Sequence, residues 1–145
     1  LAIASREGIW DRLAPLSRSN YVEEAMELMD LLGLTSHAHR PARELPEGLK
    51  KLADVVLALA MKPRLLLLDE PTSGVSAIER FQLMDSLMRA LRQMKLTAVF
   101  VEHDMEIVRD YSDRVIVWNN GQILTSGAPG QIFADDRVRE QVLGV

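Results

Sequence analysis

The sequence predicts an α/β fold in which a helical first segment is followed by a parallel sheet, a hairpin and a closing helix. Three observations carry that expectation. Apolar residues recur at helical spacing between positions 22 and 59. From Leu65 on, short unbroken apolar runs alternate with amphipathic stretches, the order left in sequence by strands joined through crossover helices. Asn119-Asn120-Gly121 then marks a tight turn between two further short runs.

The elements follow in order. Pro15 and the cluster Ser17-Arg18-Ser19 read as loop. From Asn20 the pattern turns helical: Asn20 with Glu23 makes a capping box, Val22, Met26, Met29 and Leu32 share a face, and Gly33 stops the helix. Met26 and Met29 read as core, or as a face that docks a membrane partner, rather than as a cofactor site. Residues 36–44 are polar and hold His37 and His39, which read as surface residues because no carboxylate or cysteine stands at ligand spacing. A second helix is expected near Pro46, with Leu49, Leu52, Val56 and Leu59 on one face and Pro63 closing it. Leu65-Leu66-Leu67-Leu68 reads as a buried parallel strand ended by Asp69-Glu70-Pro71. Ser76 with Glu79 is a second capping box, with Ser76 as N-cap. It opens a helix lined by Ile78, Phe81, Met84, Leu87 and Leu91. A strand over 96–101, a short helix over 105–111, a strand over 114–118, its hairpin partner over 122–125 and a helix over 136–143 complete the chain.

Composition bounds the function. A length of 145 residues suits about one domain of the usual roughly 100–200 residues, and 48% apolar residues supply a core. Charged residues at 26% exclude a low-complexity tail, and the lack of cysteine excludes a disulfide scaffold, a thiol nucleophile and a thiolate zinc site. A net charge of −4 argues against a nucleic-acid partner. The apolar run from Val55 to Met61, between Asp54 and Lys62, is too short to cross a bilayer. The start, Leu1-Ala2-Ile3-Ala4-Ser5-Arg6, lacks a signal-peptide profile and an initiator methionine. The chain therefore reads as cytosolic and as cut from a longer one.

The chemistry gathers at strand ends, where ligands bind in open parallel sheets. Two strands end in titratable residues: Asp69-Glu70 after the leucine run, and His103 after Val99-Phe100-Val101. If those strands are neighbours, the three side chains converge on one crevice. A strand-end carboxylate suits Mg²⁺, which takes one or two carboxylates beside phosphate and water oxygens. A second carboxylate not needed for the metal can act as general base on water, and a histidine can hydrogen-bond phosphate or that water. The set describes phosphoryl transfer to water.

Four apolar residues followed by Asp-Glu form a Walker B element, and its surroundings resemble the ATP-binding cassette (ABC) ATPases over most of the chain. Leu45-Pro46-Glu47-Gly48-Leu49-Lys50-Lys51 stands at the signature-motif position, and Lys62-Pro63-Arg64 leads into Walker B and Pro71-Thr72-Ser73. His103, in Val101-Glu102-His103-Asp104, sits where the switch histidine sits. Ser112-Asp113-Arg114-Val115-Ile116-Val117 with Asn120-Gly121 is similar to the strand and hairpin that follow it. The run from Ser73 to Glu79, the Glu102-His103-Asp104-Met105 version of the switch motif and a tail ending in Leu143-Gly144 resemble the branched-chain amino-acid transporter ATPases. Importers of urea and other amides use similar cassettes.

The resemblance implies a partial ABC cassette: a helical subdomain over residues 1–62 ending in the signature helix, then the Walker B and switch-histidine part of a P-loop-NTPase-like core over 63–145. It implies that Asp69 holds Mg²⁺, that Glu70 is the catalytic base and that His103 contacts the γ-phosphate and attacking water. Gly48, with Glu47 and Leu49 beside it at the opening of the helix, would cap the γ-phosphate of ATP held by a second ATPase subunit. Ser73 and Ser76 would bound the loop crossing that head-to-tail dimer interface. The partners would be transmembrane permease subunits, and the place the cytoplasmic face of the plasma membrane.

The sequence also departs from the family pattern. None of its eight glycines has another five positions later, so no Gly-x-x-x-x-Gly-Lys-Ser/Thr phosphate loop occurs, and the piece alone is expected not to bind ATP usefully. Pro46 replaces the usual signature serine and offers no N–H, while Glu47 brings negative charge beside a phosphate site. The alternative is a non-catalytic regulatory or interaction module derived from such a cassette. A DNA-repair ABC ATPase is disfavoured, because no coiled-coil heptads flank the signature.

Overall fold

The computed structural model describes Ala2, Ile3 and residues 19–144. The loop expected around Pro15 and Ser17-Arg18 lies outside the described residues. The chain divides into two compact units, Leu1–Val101 and Glu102–Val145. No described helix is long and apolar enough to cross a membrane.

In the first unit, α1 (Ser19–Leu31) already includes Asn20 in its first turn. It ends as its sequence demands: Gly33 takes a left-handed φ of 72°, and the Leu34 N–H reaches back to the Met29 carbonyl at 2.7 Å. Leu32 and Leu34 are buried beside that turn, while Met26 and Met29 are half-buried. The polar segment folds into two single-turn 3-10 helices, Thr35–His37 and Ala42–Glu44. The surface reading fits His39, which is exposed. His37 is half-buried, and among the described residues its buried Nδ1 has no hydrogen-bond partner.

Helix α2 (Glu47–Ala60) begins one residue after Pro46, which occupies the N-cap. Its buried stripe is Leu52, Val55 and Leu59, with Ala60. Leu49 and Val56, expected on that face, are only half-buried. Both sets fit a helical period, and packing against α1 and the following helix selects between them. Lys62 extends the junction with a 3.2 Å ion pair to Glu24 of α1.

Strand β1 (Leu65–Asp69) pairs in parallel with β2 (Thr97–Val101), in the register Leu65 to Thr97 through Asp69 to Val101. The connection is α3 (Glu79–Met94), whose Leu83, Met84, Leu87, Ala90 and Leu91 are buried. Ile78 is exposed instead of core, and Phe81 is half-buried with the Arg80 guanidinium 5.0 Å from its ring centre. The second capping box forms in modified style. The Ser76 hydroxyl donates to the Glu79 carboxylate at 2.6 Å and accepts the Glu79 N–H at 3.4 Å, so regular helix starts at Glu79.

The expectation of a fully buried β1 is corrected. Leu66 is buried, but Leu65 and Leu67 are 48% and 70% exposed, and Val99 and Val101 are exposed too. Side chains alternate across a strand, so these four share a sheet face. Burial of a continuous apolar run needs a layer on each face, and the described residues supply cover on one.

In the second unit, α4 (Met105–Tyr111) is capped by Asp104, whose Oδ1 accepts the N–H groups of Glu106 and Ile107 at 3.0 and 3.4 Å. β3 (Val115–Asn119) and β4 (Gln122–Gly127) form the expected hairpin. Asn120 and Gly121 both take positive φ, 49° and 77°, as a two-residue turn matched to strand twist requires. Val117 packs with Ile132 and Val138 in a small core flanked by Val115 and Leu124. The helix carrying Ile132, α5 (Pro129–Ala134), has no counterpart among the sequence expectations, which assign nothing between 125 and 136; Pro129 in the first turn is the signal that marks it.

The last helix is expected to run unbroken to Leu143. Instead α6 (Asp136–Val138) passes into a π-helical turn, Arg139–Leu143, ended by Gly144 at φ 68°. Asp135 caps α6 through the Arg137 N–H and takes a 2.7 Å ion pair from the Arg137 guanidinium. The Arg137 hydrogen bond holds the Asp135 carboxyl below its ordinary 3.8. A depressed carboxyl contributes stability above the unfolded value and loses it as pH falls through the folded one. Thermal midpoints measured from neutral to acid pH should therefore fall less steeply below about 3.8 in Asp135→Asn than in the native chain; parallel slopes would contradict this role.

Candidate functional site

The end of β1 is built from backbone outward. Asp69 is the last residue of the strand and lies opposite Val101. The Glu70 N–H donates to the Val101 carbonyl at 2.9 Å, so the ladder runs one residue past the strand and leaves both carboxylates at the shared carboxyl end of β1 and β2. The two strands are thus the neighbours that the sequence reading required. Both acidic residues are exposed, while Pro71 and Thr72 immediately after them are buried. Glu70 itself sits at φ 44°, a left-handed conformation that costs a non-glycine residue roughly 1–2 kcal/mol.

A turn follows at once. The Glu70 carbonyl accepts the Ser73 N–H at 3.1 Å, and the Thr72 carbonyl accepts the Val75 N–H at 3.2 Å. Gly74 takes φ 74° between them. The opening of α2 packs on this loop. A Cβ placed on Gly74 would stand 3.8 Å from Glu47 Cγ, and one placed on Gly48 would stand 3.6 Å from Val75 Cγ1. Lys51, one helical turn beyond Glu47, donates from Nζ to the Glu70 carbonyl at 2.9 Å. Glu47 carries its own countercharge, the Lys50 ammonium at 3.4 Å.

The first unit therefore holds Glu47, Gly48, Leu49, Asp69, Glu70, Ser73 and Ser76, with the opening of α2 packed on the loop after β1. Ser73 and Ser76 are exposed, and the Ser76 hydroxyl is engaged with Glu79. His103 opens the second unit two residues after Val101. It is exposed, and its N–H donates to its neighbour's carboxylate, Glu102 Oε2, at 3.2 Å. Sequence reasoning quoted Lys51 within the signature stretch but gave it no role. Its spacing of four from Glu47, on the face turned to the loop, is the signal that could have found it.

The donor set at the strand end suits a hard cation. Among the described residues no group of three or more His, Cys, Asp or Glu gathers around a metal position. One exposed carboxylate at Asp69 fits Mg²⁺, which keeps several waters and takes phosphate oxygens. A separate open groove of about 550 Å³, lined by Glu23, Glu27, Leu28, Lys62 and Met94, involves residues that precede β1 and β2, away from their carboxyl ends.

Comparison with known proteins finds similarity to one family. The sequence profile described as "ABC transporter" matches residues 3–73. The chain is 34% identical over 128 residues to the "Probable amino-acid ABC transporter ATP-binding protein y4tH" of Sinorhizobium fredii, covering 86% of this chain and 50% of that protein. It is 37% identical over 120 residues to the "Energy-coupling factor transporter ATP-binding protein EcfA2" of Lactiplantibacillus plantarum, covering 82% of this chain and 41% of the other. Among solved structures, MJ1267, "an ATP-binding cassette of an ABC transporter", superimposes with a TM-score of 0.76 at 28% identity, over 90% of this chain and 53% of that one. The chain spans about half the length of the curated relatives it matches.

Proposed function

We propose that the chain is part of the ATP-binding domain of an ABC transporter and that it supplies the water-activating part of an importer ATPase. The observation that carries the reading is the pair Asp69 and Glu70 at the joint carboxyl end of parallel β1 and β2. In this reading Asp69 holds Mg²⁺, which when bound neutralises charge developing on the phosphates. The Glu70 carboxylate takes a proton from the attacking water, and His103 hydrogen-bonds the γ-phosphate and that water. Gly48, with the amides of Glu47 and Leu49, caps the γ-phosphate of ATP held by a second subunit, the Glu47 charge being offset by Lys50. Ser73 to Ser76 lie at the subunit interface.

The phosphate loop that this sequence lacks must come from elsewhere in the intact protein, so the isolated chain is inactive. Transmembrane permease subunits complete the assembly, which works at the cytoplasmic face of the membrane. The transported solute is an amino acid, branched-chain or a related amide. The name of the Sinorhizobium relative supports that class. Relatives named for import also weigh against a non-catalytic module.

The Mg²⁺ dependence tests the assignment of Asp69. In the intact ATPase, Asp69→Asn should raise the Mg²⁺ concentration giving half-maximal hydrolysis by about 10–100-fold, the range seen when a metal site loses a supporting group. An unchanged Mg²⁺ curve would remove Asp69 from the metal site.

A further inference from the structure

We propose that Lys51 is a positioning residue for Glu70, tying the opening turn of α2 to the peptide that aims the catalytic carboxylate. The inference rests on the reading of Glu70 as the base and adds a residue to which that reading assigns no part.

Three features of the Glu70 peptide make an anchor necessary. Its φ of 44° lies in the left-handed region, which a glutamate does not hold without support from its surroundings. The residue that follows is Pro71, so the Glu70–Pro71 peptide has no N–H and can be hydrogen-bonded only through its carbonyl. A proline also disfavours the right-handed α region for the residue before it, which narrows the conformations that Glu70 can adopt. That carbonyl accepts two hydrogen bonds, from the Ser73 N–H at 3.1 Å and from Lys51 Nζ at 2.9 Å. The first closes the local turn. The second comes from 19 residues away in sequence and carries a full positive charge.

The position of Lys51 gives the bond a direction of control. Lys51 lies one turn after Glu47 and Gly48, and that turn packs on the loop holding Gly74 and Val75. A displacement of the start of α2 therefore moves the donor on which the Glu70 carbonyl depends. Rotation of that peptide swings the Glu70 side chain, because the carboxylate leaves the same Cα. Lys51 thus makes the geometry of the base in one chain sensitive to what the signature turn of the same chain is bound to. A lysine on a helix surface is ordinarily solvated; this one is half-buried and ends on a main-chain oxygen next to the site.

The test compares Lys51→Met, Lys51→Arg and Glu70→Gln in the intact ATPase, with Mg-ATP as substrate. Lys51→Met should lower kcat about 10-fold with KM for ATP held within about twofold, since the bond acts on the base and not on nucleotide affinity. Lys51→Arg, which keeps a charged donor of similar reach, should recover most of the loss. Amide hydrogen exchange at Ser73, whose N–H shares the same carbonyl, should quicken in Lys51→Met and return in Lys51→Arg. If Lys51→Met fails to fold, Lys51→Gln, which falls short of the carbonyl, is read in the same way. A Lys51 variant with native kcat beside an inactive Glu70→Gln overturns the Lys51 proposal and leaves Glu70 standing. Retained turnover in Glu70→Gln overturns the reading of Glu70 itself. A parallel rise in KM would make Lys51 a nucleotide contact and would also overturn the proposal.

Discussion

Replacing Glu70 by Gln in the intact ATPase should lower ATP turnover by roughly 10²–10⁴-fold, the usual contribution of a general base, while nucleotide affinity stays within about twofold. The substitution keeps shape and volume and removes the negative charge, and with it the capacity to accept a proton. The Glu70 backbone is anchored by its own N–H to Val101 and by its carbonyl to Ser73 and Lys51, none of which involves the carboxylate. The variant should therefore retain the local fold, so that lost turnover reports chemistry and not collapse of the strand end. Single-turnover hydrolysis and equilibrium nucleotide binding, measured side by side, separate the two. Near-normal hydrolysis in the variant would remove Glu70 from the base role and with it the mechanism built on the strand end.

Truncating Leu87 to Ala should destabilise the chain by about 2–5 kcal/mol, the range for removing a buried leucine side chain. Leu87 is 1% exposed on the inner face of α3, between Met84 and Leu91, which are also buried. The helix packs on α1 and α2 and carries the chain from β1 to β2, so a cavity there loosens the connection that sets the parallel register. Denaturant unfolding followed by circular dichroism measures the loss. A shift in midpoint at unchanged slope is expected, and a loss below about 0.5 kcal/mol, typical of surface sites, would show that α3 is not seated as described.

Much of the architecture was legible because its signals are local. Gly33 and Asn120-Gly121 mark element ends through interactions spanning no more than five residues and sit at the boundaries they predict, whereas Ser76, expected as the N-cap, bonds Glu79 from two residues ahead of the observed N-cap, Ile78. Asp69 and Glu70 were legible for a related reason: an apolar run ending in two acids places them at a strand end wherever that strand packs. Where local signals compete, the reading slips. Gly127-Ala128-Pro129-Gly130 carries loop composition yet opens α5, because Pro129 suits a first helical turn and Ile132 finds Val117 and Val138 to pack against.

By itself the sequence determined the order of the helices and strands apart from α5, the parallel pairing that follows from a strand–helix–strand chain, and the carboxylates placed at the strand ends. These depend on periodicity, caps and turns, which act over a few positions. Only the tertiary structure decided which face of β1 is covered, which stripe of α2 is buried, and that Lys51 reaches the carbonyl of a left-handed Glu70. Those outcomes depend on which elements meet, and contacts between residues 19 apart leave no periodic trace along the chain.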